Sequence, residues 1–226
     1  MPAGENRCMA SEEFPRMQWA DDEGAIHHAR WRSLAGHTPP QRVEVVDDSL
    51  GADEAYRIAC AGTGLLWCGD YPNARQLLQA LGRRVDARAR RAAKPVASMK
   101  QAFVAQRQAQ AQRAAVLGML LLPFDADHGV ALRRAPDVRR ACLEAYGPVD
   151  EHYVASLREL QGLIGAHEWR KKGVEIAALK ARIHPHHGVF SPVRGEYVDL
   201  VAQAPVPARD EPGCRGRRPA HVDRRQ

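Results

Sequence analysis

The sequence predicts a mainly α fold with one short extended segment toward its carboxyl-terminal end. Three observations predict it. Leu77, Leu78, Leu81 and Val85 recur at helical spacing between a turn at Gly69-Asp70-Tyr71-Pro72-Asn73 and a break at Lys94-Pro95. A Gln- and Ala-rich stretch from Val96 to Leu122 is long enough for a second helix, which Pro123 closes. Around Arg182–Pro192, His184-Pro185 and Ser191-Pro192 push the residue before each proline out of the helical region.

The remaining elements follow in order. Residues 1–41 show no sustained periodicity and are broken at Thr38-Pro39-Pro40, which predicts a poorly ordered arm. Val43-Glu44-Val45-Val46 is a brief apolar run closed by Asp47-Asp48-Ser49. From Ala52, the spacing of Tyr56, Ile58, Ala59, Leu65 and Leu66 predicts a helix. Gly62-Thr63-Gly64 falls inside it and reads as small residues for close helix packing. A bare G-x-G without its strand–helix context is a weak nucleotide signal.

Asp70 or Asn73 is placed to cap the next helix, which runs to about Ala93. The helix from Val96 is expected to be exposed in its first half and core in its second. Asp125-Ala126-Asp127-His128 reads as a structural turn rather than a metal site. Pro136 opens a helix carrying Val138, Ala141, Cys142 and Leu143, closed by Gly147-Pro148. Ser156 caps the next, with Glu159 three residues on as in a capping box. From Glu196, the apolar positions Tyr197, Leu200 and Val201 predict a final helix with acids in its first turn.

Composition narrows the class. With 226 residues and 45% hydrophobic content the chain supports a core, and 6% aromatics means a core of Leu, Val and Ala. The five cysteines, Cys8, Cys60, Cys68, Cys142 and Cys214, form no C-x-x-C pair and suggest free thiols in a reducing compartment. Cys60 and Cys68 are expected to be small buried residues. No secretory pattern follows Met1, and the apolar run Val116–Phe124 is far too short to cross a bilayer. The expectation is a cytoplasmic protein with no membrane partner.

The net charge of +6 is unevenly placed. Between Arg75 and Arg113 stand ten Lys or Arg against one acid, Asp86. Such a stripe attracts polyanions by neutralising phosphates and releasing counterions. Arg83, Arg84, Arg88, Arg90 and Arg91 are the candidate contacts; the alternative is a solvated helix face. Among metal candidates, His184, His186 and His187 are interrupted by Pro185 and have no evident partner ligand. His167-Glu168 lacks the second histidine of a zinc-protease helix, because Lys171 stands in its place.

Phe190, Pro192, Arg194, Glu196 and Tyr197 resemble the Pro-Arg-x-x-(Thr)-Glu segment that leads into the catalytic domain of bacterial class I S-adenosylmethionine-dependent methyltransferases. These are the glutamine and RNA methyltransferases that carry a helical domain in front. The resemblance extends through Leu65–Leu81, Leu132–Gly147 and Gly162–Ile176, and so covers roughly Arg42 to Pro205. It implies a helical domain followed by a short extended segment leading into a Rossmann-type domain. By that implication Phe190, Pro192, Arg194 and Glu196 stand at the rim of the S-adenosylmethionine site. Arg194 and Glu196 either contact the donor or pair to join two domains.

The family next has a strand and an Asp/Glu-x-Gly-x-Gly-x-Gly loop that holds the donor. This chain instead reads AQAPVPARDEPGCRGRRPAHVDRRQ. The expectation is a truncated methyltransferase whose tail is out of frame, the alternative being a natural basic tail too polar to fold. The implied organisation is an arm at 1–41, a helical substrate-recognition domain at 42–165, a lead-in segment at 166–205 and a basic disordered tail at 206–226. No residue is assigned a catalytic or metal-binding role. The methyl acceptor is open between protein, RNA and small molecule. The other expectation is a freestanding helical module binding RNA or another polyanion through residues 75–113.

Overall fold

The structure, a computed structural model, describes residues 14–21, 23–92, 98–190 and 195–205. Among these about 48% are helical and 20% lie in strands. The mainly α expectation is overturned by a six-stranded mixed sheet that curls into an almost closed barrel. The chain divides into two compact units. The first takes in the described residues to Ala126, with Val130–Ala135 and Asp150–Glu159; the second holds Asp127–Gly129, Pro136–Val149 and the described residues from Leu160.

In the first unit the strands are β1 (Arg16–Ala20), β2 (Ile26–Trp31), β3 (Arg42–Val46), β4 (Thr63–Trp67), β5 (Leu120–Phe124) and β6 (Tyr153–Ser156). Their order across the sheet is β1-β2-β6-β5-β4-β3. The β3–β4, β4–β5 and β2–β6 pairs are parallel; β1–β2 and β5–β6 are antiparallel. The parallel pairs need crossovers, supplied by α1 (Ala52–Cys60) between β3 and β4, and by α2 (Tyr71–Ala92) with α3 (Met99–Gly118) between β4 and β5.

All six strands feed one interior cluster. Met17, Ala29, Trp31, Leu66, Leu121 and Val154 are buried together, with Trp19, Val43 and Val45 packed against them. Because side chains alternate along a strand, Leu65, Trp67, Leu120, Leu122, Phe124 and Tyr153 face the other way, and they too are buried. Register agrees: Phe124 is paired with Tyr153, and their rings stack at 4.6 Å.

The missed strands have a common cause. TGLLW in β4 and LLLPF in β5 are buried on both faces, so they lack the polar alternation that marks a half-exposed strand. The helix expected from Ala52 through Leu66 therefore stops at Cys60, and the one expected to Leu122 stops at Gly118. Pro123 sits inside β5 rather than ending a helix. The β4 ladder reaches only Leu121, so the proline's missing N–H interrupts no bond on that side. Residues 14–41, expected as part of an unstructured arm, carry the β1–β2 hairpin. Gly64 lies in β4, where a Cβ would stand 2.8 Å from both Leu121 Cδ1 and Pro40 Cγ.

Other expectations hold. Leu77, Leu78, Leu81 and Val85 form the buried stripe of α2. The first half of α3 is exposed as expected, whereas of its second half only Val116 and Leu117 are buried; Ser98, not foreseen as a cap, accepts the Gln101 N–H at 3.2 Å. Ser156 accepts the Glu159 N–H at 3.1 Å where β6 passes into α5 (Leu157–Lys172).

The second unit contains α4 (Arg139–Tyr146), most of α5, the antiparallel pair β7 (Val174–Ile176) and β8 (Ala181–Ile183), and α6 (Gly195–Gln203). The extended segment expected at 182–192 is thus a short strand pairing with β7, in a sheet separate from the large one. Val189 and Phe190 are not in a strand: the Val189 N–H bonds the His186 carbonyl at 3.0 Å, closing a turn.

Candidate functional site

The residues placed by resemblance at a donor site lie in the second unit. Phe190 is exposed and meets the Tyr197 ring at 5.8 Å; Glu196 is exposed in the first turn of α6. Pro192 and Arg194 fall outside the described residues, as does the tail from 206.

A more closely built cluster stands at the carboxyl ends of the parallel strands β3 and β4, where α/β folds commonly bind ligands. Asp48, just past β3, accepts the Asp70 N–H at 3.1 Å and the Asn73 side chain at 2.9 Å. Between them Gly69 leaves no room for a side chain, since a Cβ would meet the Asp48 carboxyl carbon at 2.8 Å and its backbone nitrogen at 2.9 Å. Asp70, at the threshold of α2, is fully buried, and its Oδ2 accepts Nε of Arg133 at 3.1 Å and Nε of Arg134 at 2.8 Å.

The hydrogen bond from Arg134 is the main reason the Asp70 carboxyl is held below the ordinary carboxylate range; burial opposes it, and Arg133 adds to it. Asp70 Oδ1 has no hydrogen-bond partner among the described residues. Arg134 takes a left-handed backbone, φ 58°, to bring its side chain in. The two guanidinium groups remain mostly exposed, at 74% and 62%. Two acids and two arginines balance each other's charge in this cluster. Sequence reasoning missed its arginine half; the only signal was a pair of consecutive arginines in a loop.

The second feature is the α2–α3 pair. α3 returns beside α2, with Arg113 Nε donating to Asp86 Oδ1 at 2.9 Å. No described residue between Val85 and Val116 is buried. Arg84 is engaged at home, donating to Asp53 at 2.7 Å. Arg83, Arg90, Arg91, Lys100 and Arg107 pair with no carboxylate among the described residues, and Arg88 lies by the Tyr56 hydroxyl. Met99, Phe103 and Val104 are exposed beside them on α3.

A cavity of about 160 Å³ lies under the loop after β2, lined by Trp31, Ser33, His37, Thr38, Met119 and Ser156 among others. The loop is pinned by Trp31 Nε1 donating to the His37 carbonyl at 2.6 Å and the Leu34 N–H donating to Glu159 at 3.1 Å. Its volume is below that of sites holding drug-sized ligands.

The remaining candidates resolve into structural partners. Asp127 accepts the Gly129 N–H and Arg139 Nε, both at 2.8 Å, and His128 meets the Gly147 carbonyl at 3.0 Å. His184 Nδ1 lies 2.7 Å from the Arg170 carbonyl. His167 Nδ1 stands 3.0 Å from Glu144, which also receives Arg170 at 3.0 Å. Cys60 and Cys68, expected to be buried, are exposed, whereas Cys142 is buried. Among the described residues, no group of His, Cys, Asp and Glu is arranged to hold a metal ion, and no helix is long and apolar enough to cross a membrane. Compared with known proteins, the chain matches no family model, no curated protein and no solved structure.

Proposed function

We propose that this chain is the acceptor-recognising, amino-terminal part of an S-adenosylmethionine-dependent methyltransferase, and that it does not hold the donor by itself. The resemblance of Leu65–Leu81, Leu132–Gly147, Gly162–Ile176 and Phe190–Tyr197 supports the assignment. The observation that carries the division of labour is the filled turn between β4 and α2. Methyl transfer is an in-line displacement, so the enzyme must grip the donor through open backbone after a parallel strand. Here that position is Cys68-Gly69-Asp70, with Asp48 lying against Gly69 and both arginines bonded to Asp70. Asp48 packed against Gly69 leaves this turn no open backbone, which supports a donor held elsewhere. In this reading Phe190, Pro192, Arg194 and Glu196 belong to the rim of a donor site completed by a further domain. The acceptor is a protein, an RNA or a small molecule.

Two measurements test it. The DNA encoding this chain is read beyond the codon for Val206 in every forward frame; an Asp-x-Gly-x-Gly-x-Gly segment between a predicted strand and helix is expected. A verified stop with no such segment in any frame overturns the assignment. Equilibrium dialysis of the chain against methyl-labelled S-adenosylmethionine is expected to show no saturable uptake; saturable binding overturns the division of labour.

A further inference from the structure

The α2–α3 pair is built in a way that its burial alone does not require. Between Val85 and Val116 none of its described residues is fully buried, yet α3 continues through this stretch with large apolar side chains in water: Met99 is 90% exposed and Phe103 65%. These are not scattered. Met99, Phe103 and Arg107 follow at four-residue intervals, and Lys100 and Val104 do the same one position on, so all five share one helix face. Phe103, Gln106, Arg107 and Gln110 line an open groove there.

The charge is equally sorted. Two of the arginines are committed, Arg84 to Asp53 and Arg113 to Asp86. The cations farther along, Arg88, Arg90 and Arg91 on α2 and Lys100 and Arg107 on α3, form no ion pair among the described residues. Arg83, also exposed, adds a sixth. A second copy of this chain docked here would bring like charges together. A run of Asp and Glu would satisfy the cations but offers no ring to Phe103.

We infer that this face binds a single-stranded polynucleotide, its phosphates on Arg90, Arg91, Lys100 and Arg107 and a base stacked on Phe103. Arg88 is left out because it turns to the Tyr56 hydroxyl. Lys100 and Arg107 bracket Phe103 within about 10 Å of helix, given a rise of about 1.5 Å per residue, so one short stretch of strand reaches all three. Stacking on an aromatic ring accepts any base, and exposed cations track the backbone; together they give sequence-tolerant, salt-sensitive binding. Arg84, a candidate on sequence alone, is excluded because its charge is spent on Asp53. The inference goes beyond the methyltransferase proposal and does not depend on it.

The test is fluorescence anisotropy of the full chain with a labelled mixed-sequence RNA of about 20 nucleotides, long enough for one such site. Single-stranded DNA of the same sequence separates the two sources of this chemistry. Saturable binding is expected, with log affinity falling against log salt at a slope of about −3, as for four neutralised phosphates. The triple variant Arg90→Glu, Arg91→Glu, Lys100→Glu is expected to lose at least about tenfold in affinity and to flatten that slope. Phe103→Ala is expected to weaken binding about tenfold with the slope unchanged. Lys180→Glu, an exposed change in the second unit, is expected to leave binding alone. All these positions are exposed, and circular dichroism checks that each variant is folded.

Absence of saturable binding, equal loss in Lys180→Glu, no effect of Phe103→Ala, preference for a duplex, or equal competition by polyglutamate each overturns the inference. None of those results bears on the donor proposal. A missing glycine loop in the encoding DNA likewise leaves this binding result untouched.

Discussion

Asp70 and Arg134 lie 64 residues apart in sequence and share a hydrogen bond of 2.8 Å. The carboxylate is buried and the guanidinium is mostly exposed, so the pair is anchored from the inside. The same carboxylate takes Arg133, and the Arg133 carbonyl accepts the Tyr71 N–H at 3.0 Å. Trp67 Nε1 donates to the Asp70 carbonyl at 3.1 Å. One residue thereby ties the end of β4, the start of α2 and the loop at 130–135 into a single piece.

That arrangement predicts a pH dependence. The Asp70 pKa is depressed, chiefly by Arg134, so the stability it confers is present above about pH 4, the ordinary aspartate value, and is lost as pH falls through the depressed one. Asp70→Asn is expected to unfold at lower urea concentration than the native chain at neutral pH. The gap between the two is expected to close on acidification below about pH 4. A gap that stays constant through that range would rule out the ion-paired carboxylate as its source.

Gly64 is crowded from two sides inside the sheet. Gly64→Ala places a methyl group 2.8 Å from Leu121 Cδ1 and Pro40 Cγ, so both must shift. Overpacking of this kind costs about 1 to 3 kcal/mol. Urea unfolding of the variant measures it; an unchanged midpoint would mean the Pro40 loop yields freely.

Leu121 is fully buried at the centre of the curled sheet, and the interior cluster draws on every strand. Leu121→Ala is expected to lower stability by about 2 to 5 kcal/mol, the range for deleting a buried leucine. Calorimetry should show the loss as a lower melting temperature. A change under about 0.5 kcal/mol, typical of surface sites, would contradict a packed interior.

Ser156 ends β6 and starts α5 in the same residue. Its hydroxyl accepts the Glu159 N–H at 3.1 Å, so Ser156→Ala removes a cap worth about 1 kcal/mol. Ser156→Asp, which restores an acceptor, is expected to recover most of it. Failure of that rescue would locate the loss in packing of β6 rather than in capping.

The α2–α3 face carries the opposite expectation. Met99→Ser and Phe103→Ser remove large apolar groups that touch water, so each is expected to change stability by less than about 0.5 kcal/mol. Leu117→Ala, at the buried end of the same helix, is expected to cost about 2 to 5 kcal/mol. The contrast is read in one set of unfolding curves; equal losses would mean the exposed half of α3 is packed in solution.

How much of this was legible beforehand depends on the range of the interaction involved. The stripe Leu77, Leu78, Leu81 and Val85, the caps at Ser98 and Ser156 and the helix from residue 195 are decided within a few positions of chain, and local spacing found all but the Ser98 cap. The basic run from Arg75 to Arg113 was equally plain. Which of its charges are free was not, because Arg84 is neutralised by Asp53, 31 residues away. Cys60 and Cys68 were misjudged for the same reason: exposure belongs to the surface, which spacing does not describe.

By itself, then, the sequence determined the apolar stripe of α2, the cap that starts α5, and the placement of charge along α2 and α3. These follow from side-chain periodicity and hydrogen bonds a turn apart. Tertiary structure alone decided that TGLLW and LLLPF are strands. A run of five apolar residues suits either a buried helix or a buried strand, and only partners on both sides, Val43–Val46 and Tyr153–Ser156, supply the ladder. It alone recruited Arg16–Trp31 into the sheet, and it alone brought Arg133 and Arg134 to Asp70, because no local pattern records where a distant chain will pass.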